Sequence, residues 1–416
     1  MHGENASFEL TTVLAVAAVI ALGSIANQAA QAQTYTVLHT FTGFPSDGQN
    51  PSGGVILDVA NNLYGTIVEG GPHCGSPGCG TVFKLTQQSN GVWTETVLHS
   101  FNGDDGRHPR NESLLMDKSG NLFGTTAAGG RGLRCYKGDG MSCGTVFELS
   151  PTTGIETVLH YFGEKSGKQG ARPFGGLIQD AEGNFYGTTA LGGDYEGGVA
   201  FELDSTGKEI VLHSFGKGND GRKPFAGVID FHGDLYGTTF AGGTFQDWGT
   251  VFRIRGQKET VLHSFRPRGY LNGGLIADAE GNLYGATAEG GGHGAGTVFK
   301  MDSSGRVTIL YGFTGTDGYA PFGTLIRDEY GNLYGTTSSG GVADYGTVFK
   351  LSPGASGKWI EKVLHTFSGT DGIFPSGTLI RDAAGNLYGT TVWGGYTGSP
   401  CNVYPGGCGV VFKITP

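Results

Sequence analysis

The chain has 416 residues, of which 79 are glycine, 38% are hydrophobic and only 15% are charged. Glycine at this level without a Gly-X-Y period excludes collagen, and the aromatic content of 11% argues against a disordered chain. The formal net charge is −10, and an acidic surface repels phosphate backbones, so we predict no nucleic-acid partner.

The N-terminus is predicted to be an export signal over residues 1–32, followed by one domain over residues 33–416. Residues 11–25 are apolar or small, and Ala30–Ala32 forms a small-residue cleavage site. The apolar stretch is shorter than the roughly 20 residues of a membrane span. No Lys or Arg precedes it, which departs from the usual signal pattern. We expect a cleaved signal peptide, with an uncleaved anchor as the alternative, and no membrane span after cleavage.

The rest of the chain is an internal repeat of four short blocks. The block Asn-Leu-Tyr-Gly-Thr-Thr is preceded by Gly-Gly-Leu-Ile-x-Asp and followed by Gly-Thr-Val-Phe-Lys-Leu and Val-Leu-His-Ser/Thr-Phe. Each block is rich in β-branched and aromatic residues and is bounded by turn residues, which is typical of strands. The aromatic residue of the Asn-Leu-Tyr-Gly-Thr-Thr block recurs at Tyr64, Phe123, Tyr186, Tyr236, Tyr284, Tyr334 and Tyr388. Four strands in units of roughly 50 residues predict the blades of a β-propeller.

The phase of the repeat predicts how the ring closes. The domain begins with a Val-Leu-His block at Val37–Phe41 and ends with a Val-Phe-Lys block at Val411–Lys413. If the Val-Leu-His strand is the outer one, the segment Thr34–Phe41 supplies the missing outer strand of the last blade. The predicted fold is therefore an all-β, seven-bladed β-propeller of four-stranded antiparallel blades, closed by the N-terminal strand.

The Leu-Tyr-Gly-Thr-Thr core and the Gly-Thr-Val-Phe-Lys-Leu block resemble the GloVer tandem-repeat family of secreted bacterial proteins. Some members, of the choice-of-anchor type, carry a C-terminal surface anchor. The resemblance covers essentially all of the domain and implies its fold and its export, but no biochemical role. Thr415–Pro416 come directly after the last predicted strand, with no sorting tail, so we expect a released or periplasmic product.

The two faces of the predicted ring differ in their loops. The loops between the second and third strands and those between blades are long and irregular, and they open on one side, here called the long-loop face. Functional residues usually lie on variable loops held by a rigid scaffold, so we expect the site on this face. The six cysteines of the chain lie in loops of this face. In an exported protein they predict three disulfides, each within a single loop. The pairs are Cys74/Cys79, Cys135/Cys143 and Cys401/Cys408.

Two groups of side chains on the long-loop face are candidate ligand-binding residues. Carboxylates recur in Asp-Gly loops and would hold a cation or a basic partner, or would cap their own turns. Aromatic residues interleave with acids and would stack on sugar rings, or would pack on the blade edges. The candidates are Asp47, Asp105, Asp220, Asp317, Asp371, Tyr195, Trp248, Tyr345, Trp393 and Tyr396.

The repeated histidines are interpreted as structural, since a catalytic histidine is needed once and these recur in six blades. They are His39, His99, His160, His213, His263 and His365, with Tyr311 in the remaining blade. Histidines outside the repeat pattern are better reactive candidates, although a solvated loop position explains each: His73, His108, His232 and His293. No metal-ligand set and no cofactor are predicted, with Ca²⁺ as the alternative, and the catalytic residues are unknown.

The sequence therefore favours a monomeric, non-enzymatic, secreted or periplasmic binding module that recognises a glycan or an exported protein through its long-loop face. The alternative is a propeller hydrolase or lyase that acts on polysaccharide through two rim carboxylates. A purely structural component of the cell envelope is the third hypothesis.

Overall fold

The computed structural model describes residues 33–110, 113–131, 143–163, 169–245, 247–399, 401 and 406–415. The predicted export signal over residues 1–32 lies outside this part of the chain. Within it, no helix has the length and apolarity needed to cross a membrane.

The fold is a seven-bladed β-propeller, as the repeat predicts, and each blade is an antiparallel sheet of four strands. From the innermost strand outward, the first three blades are Ile56–Leu57, Leu63–Ile67, Thr81–Gln87, Trp93–Ser100; Leu115–Met116, Leu122–Thr126, Thr145–Leu149, Glu156–Tyr161; Ile178–Gln179, Phe185–Thr189, Val199–Leu203, Glu209–Ser214. Blades 4 and 5 are Ile229–Phe231, Asp234–Thr239, Thr250–Arg255, Lys258–Ser264; Ile276–Ala277, Leu283–Thr287, Thr297–Met301, Val307–Gly312. Blades 6 and 7 are Ile326–Arg327, Leu333–Ser339, Thr347–Pro353, Trp359–Thr366; Ile380–Arg381, Leu387–Thr391, Val410–Thr415, Thr34–Thr40.

Short additional strands lie at the long-loop ends of three blades. Gly170–Ala171 pairs with Leu191–Gly192, Gly221–Arg222 pairs with Ala241–Gly242, and Tyr319–Pro321 pairs with the end of Leu333–Ser339. A 3₁₀ turn at Ala355–Gly357 precedes the outer strand of blade 6.

The N-terminal strand closes the ring. Thr34–Thr40 runs antiparallel to Val410–Thr415, with Thr34 opposite Thr415 and Thr40 opposite Val410. The hydroxyl of Tyr35 in this strand donates a hydrogen bond to the carbonyl of Asp371 at 2.6 Å, across the boundary between blades 6 and 7. The first and last strands of the domain thus belong to one sheet, blade 7, so Val410–Thr415 has no open outer edge.

The hydrophobic core lies between neighbouring blades. The adjacent Val and Phe side chains of each third strand point to opposite faces of the blade, and Val82 and Phe83 are both fully buried. The glycine of the second strand makes room for this phenylalanine, because a Cβ atom on Gly389 would lie 2.6 Å from Cζ of Phe412. Hydroxyls tie the blades together near the axis, where Thr188 Oγ1 of blade 3 donates to the Ala226 carbonyl at 2.7 Å.

The face opposite the long loops carries uniform turns. In the turn of blade 3, the Asp180 carboxylate accepts a hydrogen bond from the Asn184 amide at 2.8 Å and another from the Tyr186 hydroxyl at 3.0 Å. The same Asp-to-Asn bond recurs in other blades, as at Asp382 and Asn386. These carboxylates are turn residues, so the variable chemistry lies on the long-loop face.

Candidate binding site

The most unusual backbone of the long-loop face is a ring of seven equivalent residues, one within the connection that leads into each innermost strand. We call it the mouth ring, because it surrounds the central axis on this face. All seven have φ between 47° and 65°, the left-handed region that non-glycine residues rarely occupy. Proline follows most of them, and a residue before proline is normally extended. The mouth ring consists of Asn50, His108, Arg172, Lys223, Tyr270, Ala320 and Phe374.

Backbone hydrogen bonds from two blades hold each member of the mouth ring. The amide of Lys223 donates to the carbonyl of Gly197, in the long loop of the preceding blade, at 2.7 Å. The carbonyl of Lys223 accepts from the amide of Phe240, at the end of its own blade's second strand, at 3.1 Å. Because the same backbone bonds recur around the ring, the position is fixed while its side chain is free to differ in each blade.

Two of the three predicted disulfides are confirmed, and both lie in long loops. Cys74 pairs with Cys79 and Cys401 pairs with Cys408, with Cα atoms 5.6 and 5.2 Å apart. Cys143 is also disulfide-bonded, while its predicted partner Cys135 lies outside the described residues.

The cystine loops hold one sector of the mouth ring. Their carbonyls accept hydrogen bonds from ring amides at 3.1, 2.8 and 2.9 Å, in the pairs Asn50 to Cys408, His108 to Cys79, and Arg172 to Cys143. The disulfide-bonded loops belong to blades 7, 1 and 2, and each therefore accepts a hydrogen bond from the mouth-ring residue of the following blade.

Basic side chains are concentrated on one side of the mouth. Five guanidinium and ammonium groups lie at, or within two residues of, the mouth-ring positions of blades 2, 3 and 4, and we call them the basic arc: Arg107, Arg110, Arg172, Arg222 and Lys223. Arg222 forms an ion pair with Asp247, whereas Lys223 and Arg110 are exposed. Burial, with the charges of Arg107 and Arg110, lowers the pKa of His108 to about 4, so this imidazole is neutral at neutral pH.

A chain of half-buried aromatic rings lies beside the basic arc. We call these four rings the mouth aromatics: Phe174, Phe225, Phe240 and Tyr270. Successive ring centroids are 5.6, 5.1 and 4.9 Å apart, and Trp248 meets Tyr270 edge-on at 5.1 Å. Partly exposed aromatic faces next to cations offer stacking for the CH face of a sugar and ion pairs for its acidic groups.

The predicted Asp-Gly carboxylates have partners within their own loops. Asp105 accepts hydrogen bonds from the Asn102 amide at 2.8 Å and from Nε2 of His99 at 3.1 Å. The same pattern holds at Asp47, Asp220, Asp317 and Asp371, with Tyr311 replacing the histidine in blade 5. Asp47 is only 9% exposed. Turn capping thus accounts for these carboxylates, and ligand binding by them stays a prediction.

The predicted aromatics divide into two groups. Tyr195 and Tyr396 are exposed, with Lys217 Nζ lying 5.6 Å from the Tyr195 ring. Trp248, Tyr345 and Trp393 are half-buried and pack on the blades. The Trp248 and Tyr345 carbonyls also accept hydrogen bonds from mouth-ring amides. Contact of these five with a ligand stays a prediction.

The outer strands meet in a second repeated cluster, here called a rim triad. It contains the outer-strand histidine or tyrosine, the loop aspartate of the same blade, and a glutamate four residues before the corresponding position in the next blade. In blade 3, His213 Nε2 lies 2.8 Å from Asp220 Oδ2, and Glu259 of blade 4 completes the group. The recurring histidine thus contacts the loop aspartate of its own blade, which agrees with the structural interpretation of its repetition.

Two boundaries depart from the rim triad. His160 of blade 2 pairs with Glu209 of blade 3 at 3.2 Å, in place of a loop aspartate. No acidic partner is found for His263 among the described residues, because Arg266 follows it in a shorter loop and Val307 occupies the glutamate position. The sequence signal for these triads is a glutamate four residues before the histidine of an outer strand.

The fold and the site define a class, an antiparallel seven-bladed β-propeller with a polar and aromatic mouth. The chain belongs to the Gloeobacter/Verrucomicrobia repeat family, whose model matches residues 19–138, 131–331 and 271–416, which confirms the GloVer resemblance. Comparison with curated protein sequences finds no match.

Solved structures that resemble the chain are also propellers. A streptogramin B lyase is 12% identical, with a TM-score of 0.55 over 92% of this chain and 97% of that one. Virginiamycin B lyase from Staphylococcus aureus is 10% identical, with a TM-score of 0.54 over 92% and 99% of the two chains. At this identity the likeness shows the fold alone.

Proposed function

We propose that this protein is an exported, non-enzymatic binding module that holds an acidic glycan at the mouth ring. The observation that carries the proposal is the basic arc, because five cations gather there on a chain whose net charge is −10. Such a local reversal of sign attracts anionic ligands and repels the positive groups that the rest of the surface would accept.

The mouth aromatics favour a sugar over a simple anion. Phe225 and Phe240 lie directly beside Lys223, whose carbonyl is bonded to the Phe240 amide. An aromatic face next to an ammonium group matches a uronate residue, which has a CH face and a carboxylate. A protein partner with an acidic surface would use the cations but would have less need of half-buried ring faces.

The disulfides support an exported location, because cystines persist in oxidising compartments. They also hold the amides of Asn50, His108 and Arg172 in place. A preorganised backbone reduces the entropy lost on binding, so a rigid mouth suits recognition.

The experiment compares polygalacturonate with its methyl-esterified, uncharged form by calorimetry at low and at physiological salt. We expect the charged polymer alone to bind, with an affinity that falls as salt rises. The double variant Arg172→Gln/Lys223→Gln should weaken binding by roughly 10- to 100-fold, about 1.4 kcal/mol for each factor of ten. Lys208→Gln is the matched control, since Lys208 is exposed in a short turn between the third and outer strands of blade 3.

Two other results would overturn the proposal. Equal binding of both polymers, or binding unaffected by the double variant, would remove the basic arc from the site. Cleavage products during the incubation would instead favour the hydrolase or lyase hypothesis. One of the solved structures that resemble this chain is, by its name, a streptogramin B lyase.

A further inference from the structure

An open cleft lies between the outer parts of blades 3 and 4, away from the mouth ring. Its cavity volume is about 620 Å³. Blade 3 contributes the loop with Asp220, and blade 4 contributes the outer strand with Glu259, Val261 and His263. The cleft is therefore built along one rim triad.

The triad at this cleft has the donor atoms of a metal site. Nε2 of His213 and one carboxylate oxygen each of Asp220 and Glu259 all lie within 4.8 Å of one another. Donor atoms of a tetrahedral zinc site lie about 3.3 Å apart, so small side-chain rotations suffice to close around an ion. One imidazole and two carboxylates are a ligand set that Zn²⁺ accepts, with a fourth position for water or a ligand.

A second observation points to a ligand at this place. Glu259 Oε1 is buried and has no hydrogen-bond partner among the described residues, and the equivalent oxygens of Glu95, Glu156 and Glu361 share this state. A buried carboxylate oxygen without a donor is unfavourable, and a bound cation would satisfy it. Asp220, whose side chain is only 8% exposed, belongs to the same triad, so two acidic groups share a site with one imidazole. Lys217 and Arg266 line the same cleft.

We propose that His213, Asp220 and Glu259 bind a divalent transition-metal ion, Zn²⁺ or one of similar preference, whose open coordination position faces the cleft. The imidazole disfavours Ca²⁺ and Mg²⁺, which take oxygen ligands. His263, which lacks the acidic partner of its equivalents among the described residues, lies on the same cleft with Arg266. Both side chains can bond to an anionic ligand of the metal.

Among the rim triads of the described residues, one other has donor atoms within 4.8 Å of one another, at His99, Asp105 and Glu156. The boundary between blades 5 and 6 supplies the matched control, because Tyr311, Asp317 and Glu361 repeat the two carboxylates with a tyrosine in place of histidine. The test therefore starts from Glu156→Gln protein, in which the other histidine triad has lost a ligand.

Zn²⁺ binding is measured by calorimetry, with folding checked by circular dichroism. Glu156→Gln protein should bind one equivalent, and an excess of Ca²⁺ should not displace it. Adding Glu259→Gln should weaken Zn²⁺ binding by at least roughly 100-fold, while adding Glu361→Gln should leave it unchanged. Absence of saturable binding, or unchanged affinity in the Glu156→Gln/Glu259→Gln protein, would overturn the proposal.

A measurement without a second substitution covers the case in which the double variant does not fold. In ¹⁵N-histidine spectra of Glu156→Gln protein, Zn²⁺ should shift the His213 resonances and leave those of His365 in place. A spectrum in which His213 does not respond to Zn²⁺ would contradict the site. The mouth ring takes no part in either readout, so this result is independent of the glycan proposal.

Discussion

The rim triads and the mouth ring are both repeated around the propeller, but they repeat different things. At the rim the side chains recur, so that histidine, aspartate and glutamate meet at one blade boundary after another. At the mouth the backbone recurs, with seven left-handed residues in the same hydrogen bonds, while the side chains range from Ala320 to Arg172. Repeated side chains place the same groups at successive blade boundaries, whereas a repeated backbone with varied side chains indicates a scaffold for recognition.

The largest effect should come from removing the strand that makes the ring continuous. A chain that begins at residue 41 lacks the outer strand of blade 7 and the Tyr35 hydroxyl bond to blade 6. We expect the thermal midpoint to fall by about 10 °C or more, with a broader transition, in differential scanning calorimetry. A chain that begins at residue 33 is the control. Equal midpoints for the two chains would show that the ring does not depend on this closure.

The next effect tests the close approach of blades beneath the mouth ring. Gly346 has φ of 99°, and a Cβ atom there would lie 2.4 Å from the Thr337 carbonyl and 2.6 Å from Pro375 Cδ of the next blade. Gly346→Ala should therefore lower the free energy of unfolding by about 2–4 kcal/mol in denaturant titrations. Gly120→Ala is the control, because Gly120 has φ of 85° with open space around it, and should cost about 1 kcal/mol. Equal losses would mean that backbone strain alone matters.

A smaller effect should come from pH at a rim triad. Burial, and then the nearby Asp317 charge, raises the pKa of Glu361 from 4.5 to about 7. The folded state therefore holds a proton that the unfolded chain releases, so stability is greatest below pH 4.5 for this group and is lost as pH rises to about 7. We expect Glu361→Gln to reduce the fall in unfolding free energy between pH 5 and 8 by about 1–2 kcal/mol, after allowance for solvent screening.

The control for this pH effect is Glu182→Gln, which alters an exposed carboxylate in a short turn. Denaturant titrations at both pH values should give parallel profiles for this variant and the unmodified protein. An unchanged slope in Glu361→Gln would show that the triad glutamate ionises freely in the folded protein.

The smallest effect on stability is expected at the mouth ring itself. Lys223 is exposed and its backbone bonds do not involve its side chain. Lys223→Ala should change the free energy of unfolding by no more than about 0.5 kcal/mol. The same variant should weaken polyuronate binding, so stability and affinity separate at the mouth. A loss of stability comparable to that of Gly346→Ala would show that the Lys223 side chain supports the fold and is not free for recognition.

Much of the fold could be predicted from the sequence, because local patterns repeat the same information seven times. The alternation of short β-rich blocks and Gly- or Asp-rich turns defined four strands per blade, and the phase of the blocks placed Thr34–Thr40 beside Val410–Thr415. The cystines at Cys74 and Cys401 followed from short spacing within single loops. These features depend on contacts between residues close in sequence or on the period of the repeat. Both can be seen in a single sequence.

Only the tertiary structure decided which loop residues of different blades lie close together. The mouth ring joins seven segments spread from Asn50 to Phe374, and their common left-handed backbone opposes the usual preference before proline. The rim triads join Asp220 of one blade to Glu259 of the next, a contact that depends on how blades stack. Sequence therefore determined the blade and the ring, whereas the sites arise between blades, where side chains meet through packing and not through local periodicity.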